Sequence, residues 1–195
     1  DLPKVCIIGA GCSGFTTAKR LKDLGIPYDC FEMLMTWLKL DFGNPNGKSA
    51  CYESLHIDTS KWRLAFEDFP IPADYPDFPH HAQILDYFRA YVDHFGLRDT
   101  ITFNTAVETA TRDAQGLWHV TLSTGQTRIY DALVVANGHH WDPRLPVYPG
   151  RFDGYQVHSH GYRDPFEPFD FRGKRVLVVG GGNSAMDIAS ELSQR

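Results

Sequence analysis

Lys4-Val5-Cys6-Ile7-Ile8-Gly9-Ala10-Gly11-Cys12-Ser13-Gly14 is the stretch on which the fold turns. Its first five residues form a short apolar run of the kind that fills a parallel strand covered on both faces. The glycines at 9, 11 and 14 follow at once. Phe15, Ala18, Leu21 and Leu24 then recur at helical spacing, and Gly25 is a helix stop. Each glycine has its own task. Gly9 permits the tight turn, Gly11 lets the backbone approach a pyrophosphate, and Gly14 lets the helix pack on the strand. The helix start offers free N–H groups and the positive end of its dipole to phosphates, a role in which Cys12 and Ser13 share. Residues 28–32 read as the second strand, ending on Glu32, where an acid can bind ribose hydroxyls.

The same logic recurs near the other end. Residues 174–179 read as a buried strand, followed by Gly180-Gly181-Gly182-Asn183-Ser184-Ala185 and a helical run through Met186, Asp187, Ile188 and Ala189. Alanine is an accepted variant in the third slot. Two strand–glycine turn–helix units in one short chain point to two nucleotides, the plan of a flavoprotein reduced by a nicotinamide. A simple dehydrogenase needs one. The expected class is α/β, with a parallel sheet in each unit.

Between the two motifs, residues 41–79 are rich in Pro, Gly, Asn and aromatics and are expected to be irregular but ordered. Residues 80–95 read as a helix with Ile84, Leu85, Phe88, Val92 and Phe95 on one face, ended by Gly96. Strands are expected at 101–103, 118–122, 128–130 and 132–135, the last buried and leading into Asn137-Gly138. Thr124-Gly125 is a turn, and Pro143, Pro146 and Pro149 mark a linker. Phe66, Phe69, Tyr75 and Phe78 are expected either to line a substrate channel or simply to bury a long loop.

Apolar residues make up 43% of the 195, too many for a disordered chain. A formal charge of -5 without a Lys/Arg run removes the electrostatic case for nucleic acid or an anionic membrane. No apolar run approaches the roughly 18 residues of a membrane span, and no signal peptide is visible. Cys6, Cys12, Cys30 and Cys51 form no Cys-x-x-Cys pair, which fits a reducing compartment; the expected location is cytoplasmic. Cys12 is expected to pack. The pairs His80-His81 and His139-His140, and His158 with His160, lack accompanying acids or thiols at metal-site spacing, so no metal is expected.

Residues 152–162, Phe-Asp-Gly-Tyr-Gln-Val-His-Ser-His-Gly-Tyr, spell Phe-x-Gly-x-x-x-His-x-x-x-Tyr just before the second glycine motif. The chain here resembles the flavin-containing monooxygenases, and the stretches Asn44-Pro45-Asn46-Gly47, Ser54-Leu55-His56, Phe78-Pro79-His80-His81 and Ala136-Asn137-Gly138 resemble that family as well. The likeness covers nearly the whole chain and implies class B flavoprotein monooxygenase chemistry. NADPH reduces FAD, the reduced flavin takes up O2 as a C4a-hydroperoxyflavin, and one oxygen atom passes to a small nitrogen or sulfur nucleophile. It implies FAD at Gly9, Gly11, Cys12, Ser13, Gly14, Glu32, Asn137 and Gly138, and NADPH at Gly180, Gly182, Asn183, Ser184 and Ala185. His158 would position the two domains. Residues 1–145 would be an FAD-binding domain lacking its C-terminal return segment. Residues 146–195 would be the linker and the start of an NADPH-binding domain, cut short, so that the chain alone is expected to be incomplete as an enzyme.

Two departures stand out. The family usually has Gly-Gly-x-Trp after the ribose acid; residues 33–43 here keep Trp37 but not the paired glycines, through divergence or a lesion in the reading frame. Asp58 falls where many relatives place an Asn near the flavin, making it the one catalytic candidate; an ionised Asp accepts hydrogen bonds and donates none. A Baeyer–Villiger-type oxygenase is an alternative, opposed by Tyr162-Arg163 where those enzymes typically have Trp-Pro. A non-catalytic nucleotide-binding fragment is another.

Overall fold

The computed structural model describes residues 2–34, 42 and 47–194. Strand β1 (Val5–Ile8) feeds through the glycine turn into helix α1 (Cys12–Asp23), whose buried apolar residues are Phe15 and Ala18. Leu24, expected on that face, lies past the last helical turn and is 52% exposed. Strand β2 (Tyr28–Phe31) pairs with β1 in parallel. A short helix, α2 (Lys61–Leu64), is the sole helix among the described residues of the long excursion, and α3 (His81–His94) follows it. Phe15 packs edge-on against Phe88 of α3 at 5.5 Å and against Tyr91 at 5.3 Å. Tyr87 and Tyr91 are as buried as the expected Ile84 and Val92, because their rings lie inside while only the hydroxyl needs a polar partner.

Strand β3 (Ile101–Thr102) is followed by β4 (Val107–Arg112), β5 (Trp118–Leu122), β6 (Thr127–Tyr130) and β7 (Ala132–Val135). The parallel sheet runs in the order β3-β2-β1-β7, and β4-β5-β6 form a separate antiparallel sheet. Strand β4 was not expected, since Glu108, Thr109, Thr111 and Arg112 leave it almost no apolar alternation. The expected burial of 132–135 is corrected: among the described residues β7 pairs only with β1, and Val135 is 65% exposed. An edge strand has cover on fewer sides.

Cys6, Phe31, Val120, Leu122 and Tyr130 form a core joining the two sheets. Asp29 on β2 pins it, accepting from the Tyr130 hydroxyl at 2.6 Å and pairing with Lys4 at 2.9 Å and Arg128 at 3.3 Å. Partial burial pushes the Asp29 carboxyl up, but the Tyr130 hydrogen bond, Lys4 and Arg128 together outweigh it and hold it below the usual carboxylate range. A carboxyl depressed in the folded state contributes stability in full above its unfolded pKa of about 3.9, and loses it as pH falls through the folded value. Asp29→Ala is therefore expected to cost about 2 kcal/mol at neutral pH. The deficit should shrink in acid, as denaturant melts at pH 7 and pH 3 would measure.

The chain divides into two compact units, Asp1–Leu38 with Phe88–His139 and Lys39–Tyr87 with His140–Arg195. Both sheets belong to the first. In the second, α4 (Asn183–Ser193) packs through Ile188 onto Tyr52 and Tyr162, with Leu55, Phe171 and Leu192 around them. Phe66 and Phe69 stack on Tyr87, so the loop aromatics bury that segment, whereas Phe78 is 53% exposed. Lys61 is buried, its ammonium donating to the carbonyls of Ala73 and Tyr75. The expected buried strand at 174–179 is corrected: the segment is unpaired among the described residues, and Leu177 and Val179 are 85% and 64% exposed. An apolar run becomes a strand only when another strand takes its backbone groups.

Candidate nucleotide-binding site

Register brings the first site together. Ile8 stands opposite Phe31 on one side and Val135 on the other, so Gly9, Glu32 and Ala136 all leave the C-terminal edge of the sheet side by side. Gly9 N–H donates to Phe31 O at 2.8 Å, and Ala136 N–H donates to Ile8 O at 2.8 Å. In open parallel sheets this edge, where connections diverge from a central strand, is where ligands bind.

The three glycines differ in what surrounds them. Gly9 has φ +93°, and a Cβ there would lie 2.6 Å from Ala136 O. A Cβ on Gly14 would lie 1.9 Å from Gly9 O, so the helix sits against the turn with no room for a side chain. Among the described residues nothing lies within 4 Å of a Cβ on Gly11, and no side chain caps the α1 N-terminus. Beside this open cradle, Glu32 accepts from Ala10 N–H at 2.9 Å through Oε2 and from Leu34 N–H at 3.1 Å through Oε1. Each carboxylate oxygen has two lone pairs, so one on each remains for a hydroxyl donor. These features fit an FAD pyrophosphate and ribose. Asn137 follows Ala136, and Gly138 takes φ +71°.

Cys12, expected to pack, is exposed, since the first residue of α1 faces out of the turn. Cys6 and Cys30 are fully buried, and burial pushes both thiols up to about 12, which leaves them protonated and unreactive.

The second glycine turn lies in the other unit. Gly180 has φ +136°, and a Cβ there would be an ordinary 3.7 Å from the Ala185 methyl, so this turn is loose enough to carry alanine in the third slot. Asn183 and Ser184 begin α4. Asp58 belongs to this unit and accepts a hydrogen bond from Asn183 Nδ2. His158 caps a 3-10 turn, its Nδ1 accepting from His160 N–H at 3.1 Å. The Phe-x-Gly part of the fingerprint also has a local cause. The Phe152 ring lies 2.4 Å from where a Cβ on residue 154 would sit, so a side chain there would have to push this exposed ring aside. Burial, with Arg163 and His158 nearby, pushes the His160 pKa down, and its buried Nε2 has no hydrogen-bond partner among the described residues.

Tyr52, Asp187 and Glu191 escaped sequence reasoning, and for Tyr162 and Arg163, already singled out in the fingerprint, the contacts did. Tyr52 donates to Asp187 at 2.6 Å, and Tyr162 donates to Glu191 at 2.8 Å. Arg163 donates to the carbonyls of Ser49 and Cys51, at 3.2 and 2.7 Å. The four-residue spacing of Asn183, Asp187 and Glu191 was the available signal. Trp37 and Asn44-Pro45-Asn46 lie outside the described residues. Among the described residues no group of three His, Cys, Asp or Glu is placed to hold a metal ion, and no helix is long and apolar enough to cross a membrane.

A parallel sheet whose C-terminal edge carries a glycine turn, an anchored acid and an uncapped helix start defines a Rossmann-like, dinucleotide-binding α/β protein. Residues 3–195 match the family model for flavin-binding monooxygenase-like proteins, and the chain belongs to that family. It is 39% identical over 207 residues to dimethylaniline monooxygenase [N-oxide-forming] 2 of Rattus norvegicus and 38% identical over 209 residues to flavin-containing monooxygenase 5 of the same species. These alignments cover 98% and 97% of this chain but 38% of each relative, so the chain spans under half their length. Among solved structures, S-allyl-L-cysteine S-oxygenase from Allium sativum superposes with a TM-score of 0.85 at 29% identity, covering 100% of this chain and 49% of that one. An oxidized steroid monooxygenase bound to NADP superposes at 0.71 with 26% identity, over 99% of this chain and 37% of that one.

Proposed function

We propose that this chain holds the FAD site and the start of the nicotinamide site of an NADPH-dependent monooxygenase acting on soft nitrogen or sulfur nucleophiles. The observation that carries the reading is the first glycine turn: an open cradle at Gly11 between two glycines that tolerate no side chain, with Glu32 anchored beside it. In this reading the backbone N–H groups of residues 11–14 take the FAD pyrophosphate and the remaining lone pairs of Glu32 take the adenosine ribose. Asn137 and Gly138 border the same site. Gly180, Gly182, Asn183, Ser184 and Ala185 take the nicotinamide nucleotide in the same manner.

Bound FAD supplies acceptance of hydride and activation of O2; the protein supplies orientation and exclusion of water. Asp58 accepts from Asn183, so its part is to hold that amide at the nucleotide turn, and His158 shapes the linker. The substrate class is supported by the relatives' names, one an N-oxide-forming oxygenase of dimethylaniline and one an S-oxygenase of a cysteine thioether. The preference for NADPH is supported by the NADP-bound steroid monooxygenase.

The purified protein is expected to carry a flavin absorbance spectrum that bleaches anaerobically on adding NADPH, faster than with equal NADH. In a protein of the relatives' full length, a tertiary amine or sulfide should then yield N- or S-oxide in air, whereas this chain alone is expected not to turn them over. Absence of bound flavin after reconstitution with FAD would overturn the reading, and faster reduction by NADH would reverse the nucleotide preference.

A further inference from the structure

Asn183, Asp187 and Glu191 recur every fourth residue and so share one face of α4. Each meets a group from outside the helix. Asn183 donates to Asp58, while Asp187 and Glu191 accept from the hydroxyls of Tyr52 and Tyr162. Both tyrosines are buried, at 3% and 1% exposure, and their bonds to the half-buried carboxylates are part-buried; the Asp58 bond is exposed and adds less. Burial and Asp187 push the Tyr52 hydroxyl pKa up, against an opposing hydrogen bond with Ser184. The phenol therefore stays protonated and remains a donor.

Apolar packing alone would leave this helix free to slide. Ile188 is its one buried residue and Leu192 packs beside it, while Ala189, Leu192 and Ser193 border an open groove shared with Val176 and Val178. A slip of one residue turns a helix by about 100° and would break all three polar contacts together. The seam thus sets both the rotation and the axial position of α4, and α4 begins at the second glycine turn.

We infer that Tyr52 and Tyr162, acting through Asp187 and Glu191, are positioning residues that aim the N-terminus of α4, with Gly182, Asn183 and Ser184, at the phosphates of the nicotinamide nucleotide. This rests on the functional reading above. Asp58 at the Asn183 end extends the seam to the turn itself, where its acceptor-only carboxylate orients the Asn183 amide.

The test uses FAD-loaded protein, with NADP+ affinity read from the flavin spectrum and NADPH kinetics read in parallel. Tyr52→Phe and Asp187→Leu each remove one bond without adding a polar group. Each is expected to raise the NADP+ Kd and the KM for NADPH about fivefold, leaving FAD content and kcat at saturating NADPH unchanged. The double variant should be no worse than the single ones, because both delete the same contact. Asp187→Asn keeps an acceptor for Tyr52 and should stay within about twofold of the parent. Unchanged nucleotide affinity in Tyr52→Phe, or additive effects in the double variant, would overturn the seam as a positioning device. So would a common fall in Tm, FAD content and kcat with affinity preserved, which marks a purely structural role. A parent protein that takes up no nicotinamide nucleotide would instead overturn the functional reading, and the seam proposal with it.

Discussion

Gly11→Val is expected to abolish FAD binding while leaving the fold in place. Gly11 is the N-cap of α1, with φ -65° and ψ -170°, an extended conformation that a β-branched residue adopts readily. Among the described residues nothing lies within 4 Å of an added Cβ, so the substitution has room at its branch point. The valine occupies the space through which a pyrophosphate must reach the N–H groups at the helix start. Two charge-assisted hydrogen bonds forced out of reach are worth about 4 kcal/mol, or about a thousandfold in affinity. Thermal melts of the apoprotein and FAD titration together check this. A variant that keeps parental FAD affinity would show that the phosphates lie elsewhere.

Gly14→Ala is expected to fail in the opposite order, in folding first. The methyl carbon would sit 1.9 Å from Gly9 O and 2.9 Å from Gly9 C. Both are backbone atoms that cannot rotate away, and Gly9 is itself held by its hydrogen bond to Phe31 O. Helix α1 must lift from the sheet to make room, which strips cover from Phe15 and Ala18. Overpacking against a fixed backbone costs about 3 kcal/mol, and for a chain of this size that lowers the Tm by about 10 °C. Differential scanning calorimetry of the apoprotein measures it directly. The second turn supplies an internal control: Ala185 already stands in the corresponding slot, and Gly180 has ordinary contact distance to its methyl. Ala185→Gly should accordingly change stability far less than Gly14→Ala does.

The legible parts of the molecule were those with local causes. An apolar run, three glycines at fixed spacing and a helical repeat are enough to predict β1, the turn, α1 and β2, because strand burial, turn geometry and helix packing each restrict residue type within a few positions. The Phe-x-Gly pair belongs with them, since residue 154 lies under the ring of its near neighbour Phe152. Strand β4 was illegible for the converse reason: its place comes from pairing with β5, from Arg112 opposite Trp118 to Val107 opposite Leu122, not from its own apolar pattern. The segment 174–179 misled in the other direction, since its composition is that of a strand and its surroundings provide no partner.

By itself the sequence determined the α/β class and the order of the first strand, glycine turn and helix, all of which follow from contacts between near neighbours in the chain. Only the tertiary structure decided that residues 88–139 complete the first unit while 39–87 join 140–195. It alone decided that Glu32 reaches back to Ala10 N–H, and that Tyr52, 135 residues distant in sequence, holds α4 through Asp187. Those outcomes depend on which distant segments can satisfy one another's buried polar groups, and a hydroxyl or carboxylate carries in the sequence no mark of the partner that folding will bring to it.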